Sequence, residues 1–327
     1  MNMNQTGKGA RFDRRAIPAE AKESYWQAPD GHPIRRIDWS PRAGTCRGSL
    51  LFLPGRTDFF EKYLETLDEW HRAGWQVTST DWRGQAFSGR LGDDRHTGHI
   101  ADFGNWIEDI EAFWNNWASM MPQPHVIVGH SMGGHLVLRA MAEKRIAPRA
   151  AVLVAPMLGL VPRHMPLPVS HVFSRIMSRL GSPGRPAWKG SEKPGKLPED
   201  RFDLLTHDSD RYEDELWWRR NHHELAMKAP SWGWIERSIA SMRLMRRPGY
   251  LEAVDQPVLM LGTTHDGLVD YRAIEKAAGR IKNAELIVFG SEARHELLRE
   301  VDVVRDKALA AIDDFLDRAA PIVGQAR

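Results

Sequence analysis

Between Val126 and Leu138 the chain reads VIVGHSMGGHLVL, and Ser131 stands in it with glycines two residues before and two after. Residues 125–128 are a short β-branched run following Pro124, which suits a strand buried on both faces. Residues 134–144 carry apolar side chains and good helix formers at helical spacing. Ser131 is therefore placed at a strand-to-helix turn, so sharp that its backbone must be strained and a Cβ at Gly129 or Gly133 would clash. The pattern G-x-S-x-G at such a turn is a nucleophile elbow. The helix that follows aims its first N–H groups at the hydroxyl, where they favour developing negative charge.

Acyl transfer by a serine needs a base for its proton, a carboxylate that holds the base in one tautomer, and N–H donors for the oxyanion. Two later loops offer the first two. GTTHDGLVD, after the apolar run 258–261, contains Asp266 and Asp270; GSEARHELLRE, after the run 285–289, contains His295. Asp266 lies at a distance from its strand end that suits a loop, whereas Asp270 suits the N-cap of a helix at 271–278. His265 adjoins Asp266, and the competing role for His295 is to cap the final helix. The expected triad is Ser131, Asp266 and His295. The expected oxyanion donors are the backbone N–H groups of Met132 and of Arg56, the latter in PGRTDFFEKY, where Gly55 lets the backbone turn inward.

Other chemistries lack their residues. His130 is expected to pack beside the nucleophile, and His96 and His99 to brace loops, since no third ligand stands at a suitable spacing. HELLR is not H-E-x-x-H, and neither G-x-x-x-x-G-K-[ST] nor G-x-G-x-x-G occurs. No metal and no organic cofactor is expected. The single cysteine, Cys46, excludes an intrachain disulfide and a Cys-based zinc cluster, and is compatible with a reducing compartment. With 45 basic and 43 acidic residues the chain has no electrostatic footprint for nucleic acid.

Positioning these groups requires an alternating scaffold. Residues 24–40 read as a hairpin about Asp30-Gly31, and strands follow at 49–53, 76–81, 125–128, 151–155, 258–261 and 285–289. Helices are expected at 59–72, 100–120, 134–144, 271–278 and 302–318. This alternation implies an α/β fold with a mainly parallel, doubly wound sheet, whose site lies at the carboxyl ends of the strands. Residues 1–21 are polar, without the apolar core of a secretory signal, and are expected to be a disordered or loosely attached leader. The longest apolar stretch, 150–161, contains Pro156 and falls short of the roughly 18 residues of a membrane span, so a soluble, cytoplasmic protein is expected.

The alternation stops between residues 158 and 247. This stretch is expected to form a helical cap, with helices at 171–180 and 212–228 and a loop at 181–198, over a core made of residues 22–157 and 248–327. Its Trp188, Trp217, Trp218 and Trp232 are candidate contacts for an acyl chain, being wide apolar surfaces, although about half of the cap's aromatic and methionine side chains should serve its own packing. Residues 163–247 hold 16 basic and 11 acidic residues. That excess suits peripheral contact with a phospholipid surface at the inner face of the membrane.

Six motifs in order, LPGRTDFFEKY, DWRGQAFSGR, GHSMGGH, VLVAPMLGL, GTTHDGLVD and ARHELLRE, give the chain from about Leu50 to Leu316 its resemblance to the serine hydrolases that include bacterial lysophospholipases and monoacylglycerol lipases, within the α/β-hydrolase fold. The resemblance implies a Ser131–Asp266–His295 triad and hydrolysis of a carboxylic ester through an acyl-enzyme, with a lysophospholipid or monoacylglycerol as substrate and no cofactor. The sequence departs from the family at Pro54, where histidine is common, and at Ala86, where glycine is common. Two alternatives carry distinct signatures. An aminopeptidase on this scaffold would need cap carboxylates for the substrate amine, and Glu213, Asp214 and Glu215 are the candidates; a non-catalytic binding homologue would have lost a triad member, and none is lost.

Overall fold

The computed structural model describes residues 12–41, 46–161, 166–189 and 201–322. Strands β1 (Ala21–Gln27), β2 (Pro33–Trp39), β3 (Gly48–Leu53), β4 (Trp75–Thr80), β5 (His125–His130), β6 (Ala150–Val154), β7 (Val258–Thr263) and β8 (Ala284–Phe289) form one sheet in the order β1-β2-β4-β3-β5-β6-β7-β8. β2 runs antiparallel to β1 and β4, and the remaining neighbours are parallel. The helices are α1 (Leu64–Arg72), α2 (Phe103–Met120), α3 (Met132–Ala142), α4 (Leu167–Arg179), α5 (Phe202–Leu205), α6 (Ser209–Asn221), α7 (Trp232–Met245), α8 (Tyr271–Ala278) and α9 (Asp302–Ala319).

The central strands β3, β5, β6 and β7 are mostly apolar and buried because both their faces are covered. Successive side chains alternate between two cores: Leu51 and Leu53 of β3, with Ile127 of β5, meet Trp106 and Trp117 of α2, whereas Leu50, Phe52, Val126 and Val128 meet Trp70 of α1 and Phe315 of α9. Trp117, fully buried, also donates its indole N–H to Thr78 Oγ1 at 2.9 Å. The expected strands and core helices are all present, with ends shifted by a few residues.

The segment between β6 and β7 departs more from expectation. The helix expected at 212–228 ends at Asn221 and is followed by a 3₁₀ turn at His223–Leu225. α7 was not foreseen, although Ser231 caps it by accepting the Trp234 N–H at 3.0 Å, a start signal written in the sequence. Residues 190–198 of the expected loop lie outside the described residues. Among the described residues the segment joins the main clusters: Trp234 and Met245 belong to one of the two, and Trp218 and Leu225 to the other.

The leader expected at 1–21 is corrected in its described part, since residues 1–11 lie outside it. Phe12 and Ile17 pack on the core, Arg14 Nε donates to Asp214 at 2.5 Å, and the Trp218 indole donates to the Arg14 carbonyl at 2.9 Å. Apolar anchors and a salt bridge to α6 hold a segment that polar composition alone had suggested was loose. Among the described residues no helix is long and apolar enough to cross a membrane.

Candidate active site

Ser131 occupies the corner between β5 and α3 with φ 52° and ψ −114°, in the left-handed half of backbone space that costs an L-residue energy. Hydrogen bonds on both sides hold it there. Its N–H donates to the Val154 carbonyl at 2.9 Å, and its own carbonyl accepts from Met157 at 2.9 Å and His135 at 3.0 Å. The corner is closed by contact: a Cβ at Gly133 would lie 2.2 Å from the Leu53 carbonyl oxygen, and one at Gly129 would lie 2.8 Å from the Gly134 Cα. Only hydrogen fits at either position.

The loops after β7 and β8 bring the partners. His295 Nδ1 lies 2.7 Å from Asp266 Oδ2, and its Nε2 lies 3.0 Å from Ser131 Oγ. A carboxylate only accepts, so Nδ1 carries the proton and Nε2 is left to accept from the serine hydroxyl. Asp266 Oδ1 accepts the N–H groups of Leu268 at 2.8 Å and Val269 at 2.9 Å, which fixes the carboxylate. Thr263 Oγ1 donates to the carbonyls of Gly290 and Ala293 and accepts from the His265 N–H, tying the two loops together. Burial disfavours the charged ring of His295, but the attraction of Asp266 outweighs it and the pKa is raised above 6.5. The rival residues are elsewhere: Asp270 caps α8 by accepting from Arg272, and His265 meets Thr264.

Met132 opens α3, directly after Ser131. A side chain on Gly55 would come within 3.1 Å of the Ser131 Cβ, so the loop after β3 passes beside the nucleophile. The Gly55 N–H donates to Asp58 Oδ2 at 2.9 Å, which ties this loop to a buried acid. Asp58 also accepts from Tyr63 Oη at 2.9 Å, stands 3.1 Å from His130 Nδ1, and pairs with Lys62 at 2.6 Å. The His130 ring in turn packs 4.9 Å from that of His295. Reading the sequence missed this support, although D-x-x-x-K at 58–62 places an acid and a base one helical turn apart. The departures at Pro54 and Ala86 are accommodated. Pro54 presents its carbonyl to the Trp82 indole at 2.7 Å, and Ala86 adopts φ 45°, a conformation natural to the glycine it replaces.

Ser131 and His295 open into a cavity of about 450 Å³ lined on its apolar side by Phe173, Trp188, Trp232, Trp234, Ile235 and Ile239. Of the expected acyl-chain contacts, Trp188 and Trp232 line it. Trp217 and Trp218 do not: they pack edge to face on α6, and Trp218 is bound to the Arg14 carbonyl. Periodicity could not separate them, because α6 turns these side chains toward the amino-terminal segment. The acids proposed for a peptide amine are also engaged outside the cavity lining, Glu213 with Arg220, Asp214 with Arg14 and Arg15, and Glu215 with Lys62. No group of residues able to hold a metal occurs among the described residues; His99 instead meets Ser231 Oγ at 2.7 Å.

Together, the parallel sheet, the strained serine and the imidazole and carboxylate in line with it define a serine hydrolase of the α/β-hydrolase class. Within that class, the family described as "Serine aminopeptidase, S33" matches residues 44–302, and the chain belongs to it. The chain is 29% identical to lysophospholipase L2 of Escherichia coli strain K12, over 90% of its own length and 87% of the relative's, and 24% identical to the probable lysophospholipase L2 of Haemophilus influenzae, over 83% and 84%. Its fold matches that of a soluble variant of Saccharomyces cerevisiae monoglyceride lipase with a TM-score of 0.72 at 18% identity, covering 95% of this chain and 100% of that one.

The strain at Ser131 has a measurable consequence. Glycine adopts the observed conformation freely and alanine does not, so Ser131→Gly should be more stable than Ser131→Ala by about 1 kcal/mol, the reverse of the usual order within helices. Urea denaturation of the two inactive variants checks this.

Proposed function

We propose that the protein hydrolyses the carboxylic ester of a single-chain lipid, a lysophospholipid or a monoacylglycerol, through an acyl-enzyme on Ser131. The observation that carries this is the line of hydrogen bonds from Asp266 through His295 to a strained serine at the floor of an apolar cavity. His295 takes the Ser131 proton as Oγ attacks the carbonyl carbon. The N–H groups of Met132 and Arg56 receive the oxyanion, and the imidazolium then protonates the departing alcohol. Water, activated by the same nitrogen, releases the fatty acid and restores the hydroxyl. The names of the relatives, lysophospholipase and monoglyceride lipase, support the substrate class.

The cavity wall agrees with such a chain. Indole rings and branched aliphatic side chains make a broad apolar surface, worth about 25 cal/mol for each Å² of substrate removed from water. Residues 158–247 act as a cap in this reading, since α4 and α7 supply most of that wall.

Peripheral contact with a lipid surface belongs to the same proposal. α4 leaves Val172, Ile176 and the following Leu180 exposed at 60%, 53% and 61%, while its Phe173 and Ser174 line the cavity. Arg175 and Arg179, both exposed, lie among these apolar residues. An apolar stripe with cations beside it, at the mouth of a lipid cavity, suits an interfacial helix.

Three measurements test these statements. Ser131→Ala should abolish hydrolysis of long-chain monoacyl lipids and labelling by a fluorophosphonate, and a wild-type preference for very short soluble esters would count against the lipid reading. Because His295 must be neutral to act as base, kcat/KM should fall with decreasing pH at a midpoint above 6.5, and Asp266→Asn should move that midpoint downward. Replacing Val172 and Ile176 together by aspartate should weaken binding to phosphatidylglycerol-containing vesicles about tenfold or more in a sedimentation assay.

A further inference from the structure

Beside the catalytic cavity lies a second one of about 460 Å³, within the range of roughly 300–1,000 Å³ common to ligand pockets. Among the described residues none lines both. Side chains of α7 and α8 form its opposite sides. Its floor is apolar and buried, since Leu158, Met242, Met245 and Leu251 are each 6% exposed or less. Its rim is cationic, with Arg246 just after α7, Arg272 and Lys276 on α8, and Arg280 just beyond α8.

Arg280 is already engaged. It donates to both carboxylate oxygens of Glu252 at 2.8 and 2.7 Å and to the carbonyls of Met245 and Arg247 at 3.0 and 2.7 Å, which ties the end of α8 to the end of α7 and fixes the rim. The other three cations differ. Among the described residues the side chains of Arg246, Arg272 and Lys276 make no hydrogen bond and no ion pair, and all three are exposed. Asp270, the one acid among the described lining residues, is engaged as the cap of α8, where it accepts the Arg272 N–H at 2.9 Å. Arg272 and Lys276 stand four residues apart on one helix, where like charges repel, and Arg272 lies in the first turn, against the helix dipole. An anion held between them relieves both.

The lining narrows the class of that anion. A bare phosphate would meet the cations and leave the floor uncovered, although its two methionines suit an alkyl chain by their adaptability. A carboxylate or phosphate at the end of a single chain answers both parts. The guanidinium groups of Arg246 and Arg272 offer paired N–H donors to its oxygens, Lys276 offers a point charge, and the chain covers Met242, Met245 and Leu251. The wall shared with the catalytic cavity is thin: Leu158 and Asp270 line the second cavity, and their neighbours Met157 and Val269 line the first. The two stretches are bonded to each other, the Asp270 N–H to the Gly159 carbonyl and the Val161 N–H to the Leu268 carbonyl, both at 3.0 Å. Since the amides of Leu268 and Val269 hold Asp266, an occupant of the second cavity bears on the stretch that fixes the triad carboxylate.

We propose that the cavity between α7 and α8 is a second, non-catalytic site for a single-chain amphiphile with an anionic head, a carboxylate or a phosphate. A fatty acid freed by the reaction proposed for Ser131 and a monoacyl phosphate lipid are two sources of that chemistry. The site itself does not rest on that reaction, because it is built from the lining of a cavity to which Ser131 does not belong.

The test measures binding rather than turnover. Calorimetry on the full chain compares dodecanoate, dodecyl phosphate, the neutral 1-O-dodecylglycerol and inorganic phosphate, in the wild type and in an Arg272→Gln/Lys276→Gln double variant. Because the apolar catalytic cavity can also take an alkyl chain, the readout is the difference between the two proteins. The variant should bind both amphiphilic anions roughly tenfold more weakly, bind the neutral ether as before, and unfold at no lower temperature, since a repulsion has been removed. Arg246→Gln, which approaches from the α7 side, should reproduce part of the loss. Unchanged anion affinity in these variants, or an equal loss for the neutral ether, would overturn the site. Inorganic phosphate bound as tightly as dodecyl phosphate would overturn its amphiphilic character. Tighter binding of dodecanoate would support a fatty acid as the source, and tighter binding of dodecyl phosphate a phosphate lipid. None of these readings needs a reactive Ser131, so a failure of the hydrolase assays would leave the binding result standing.

Discussion

The corner between β5 and α3 is a constraint that most of the molecule serves. A side chain at a helix amino terminus normally points along its own helix or out to solvent. Here the backbone is bent until the Ser131 hydroxyl stands clear, with amides behind it and an imidazole beside it. Such a bend costs on the order of 1–3 kcal/mol and survives only where the surroundings over-determine it. They do so through the ladder from β5 to β3 and β6, the bonds from Ser131 to Val154 and Met157, and the contact of Gly133 with the Leu53 carbonyl. Strands buried on both faces are stiff, and that stiffness holds the strain in place.

Around this corner the loops are tied to one another as well as to their strands. Thr263 joins the loop of Asp266 to that of His295, and Asp58 joins the Gly55 amide to Tyr63, Lys62 and the neighbourhood of His130. A shift of the loop after β3 would therefore be felt by the groups packed against His295. This coupling is electrostatic and buried. The low polarizability around it strengthens each bond when satisfied and penalises each one when it is not.

The segment between β6 and β7 is attached in the same two ways. α7 enters the apolar core through Trp234 and Met245, and α6 enters a buried ionic cluster through Glu215. α4 is different: it packs on α7, keeps one face on the cavity and leaves another to solvent. Attachment thus differs among these helices: α6 and α7 are anchored in buried clusters, and α4 keeps one face in solvent.

Local patterns carried much of this in the amino-acid order itself. The elbow G-x-S-x-G, the apolar strands and the acid and histidine on loops after strands were legible because each depends on neighbours a few residues away: a steric demand for glycine, a period of two, a turn. Those signals single out Ser131, Asp266 and His295, the residues that the fold places in line. Which tryptophans face the cavity was not legible. Trp217 and Trp232 have the same chemistry, and only the packing of α6 on the amino-terminal segment and of α7 on α2 and α4 separates them. The cluster of Asp58, Lys62, Glu215, Glu296 and Arg299 was equally hidden. Its members lie in three distant stretches of chain, and a charge reads as a solvated surface residue until tertiary structure supplies the partners that let it be buried.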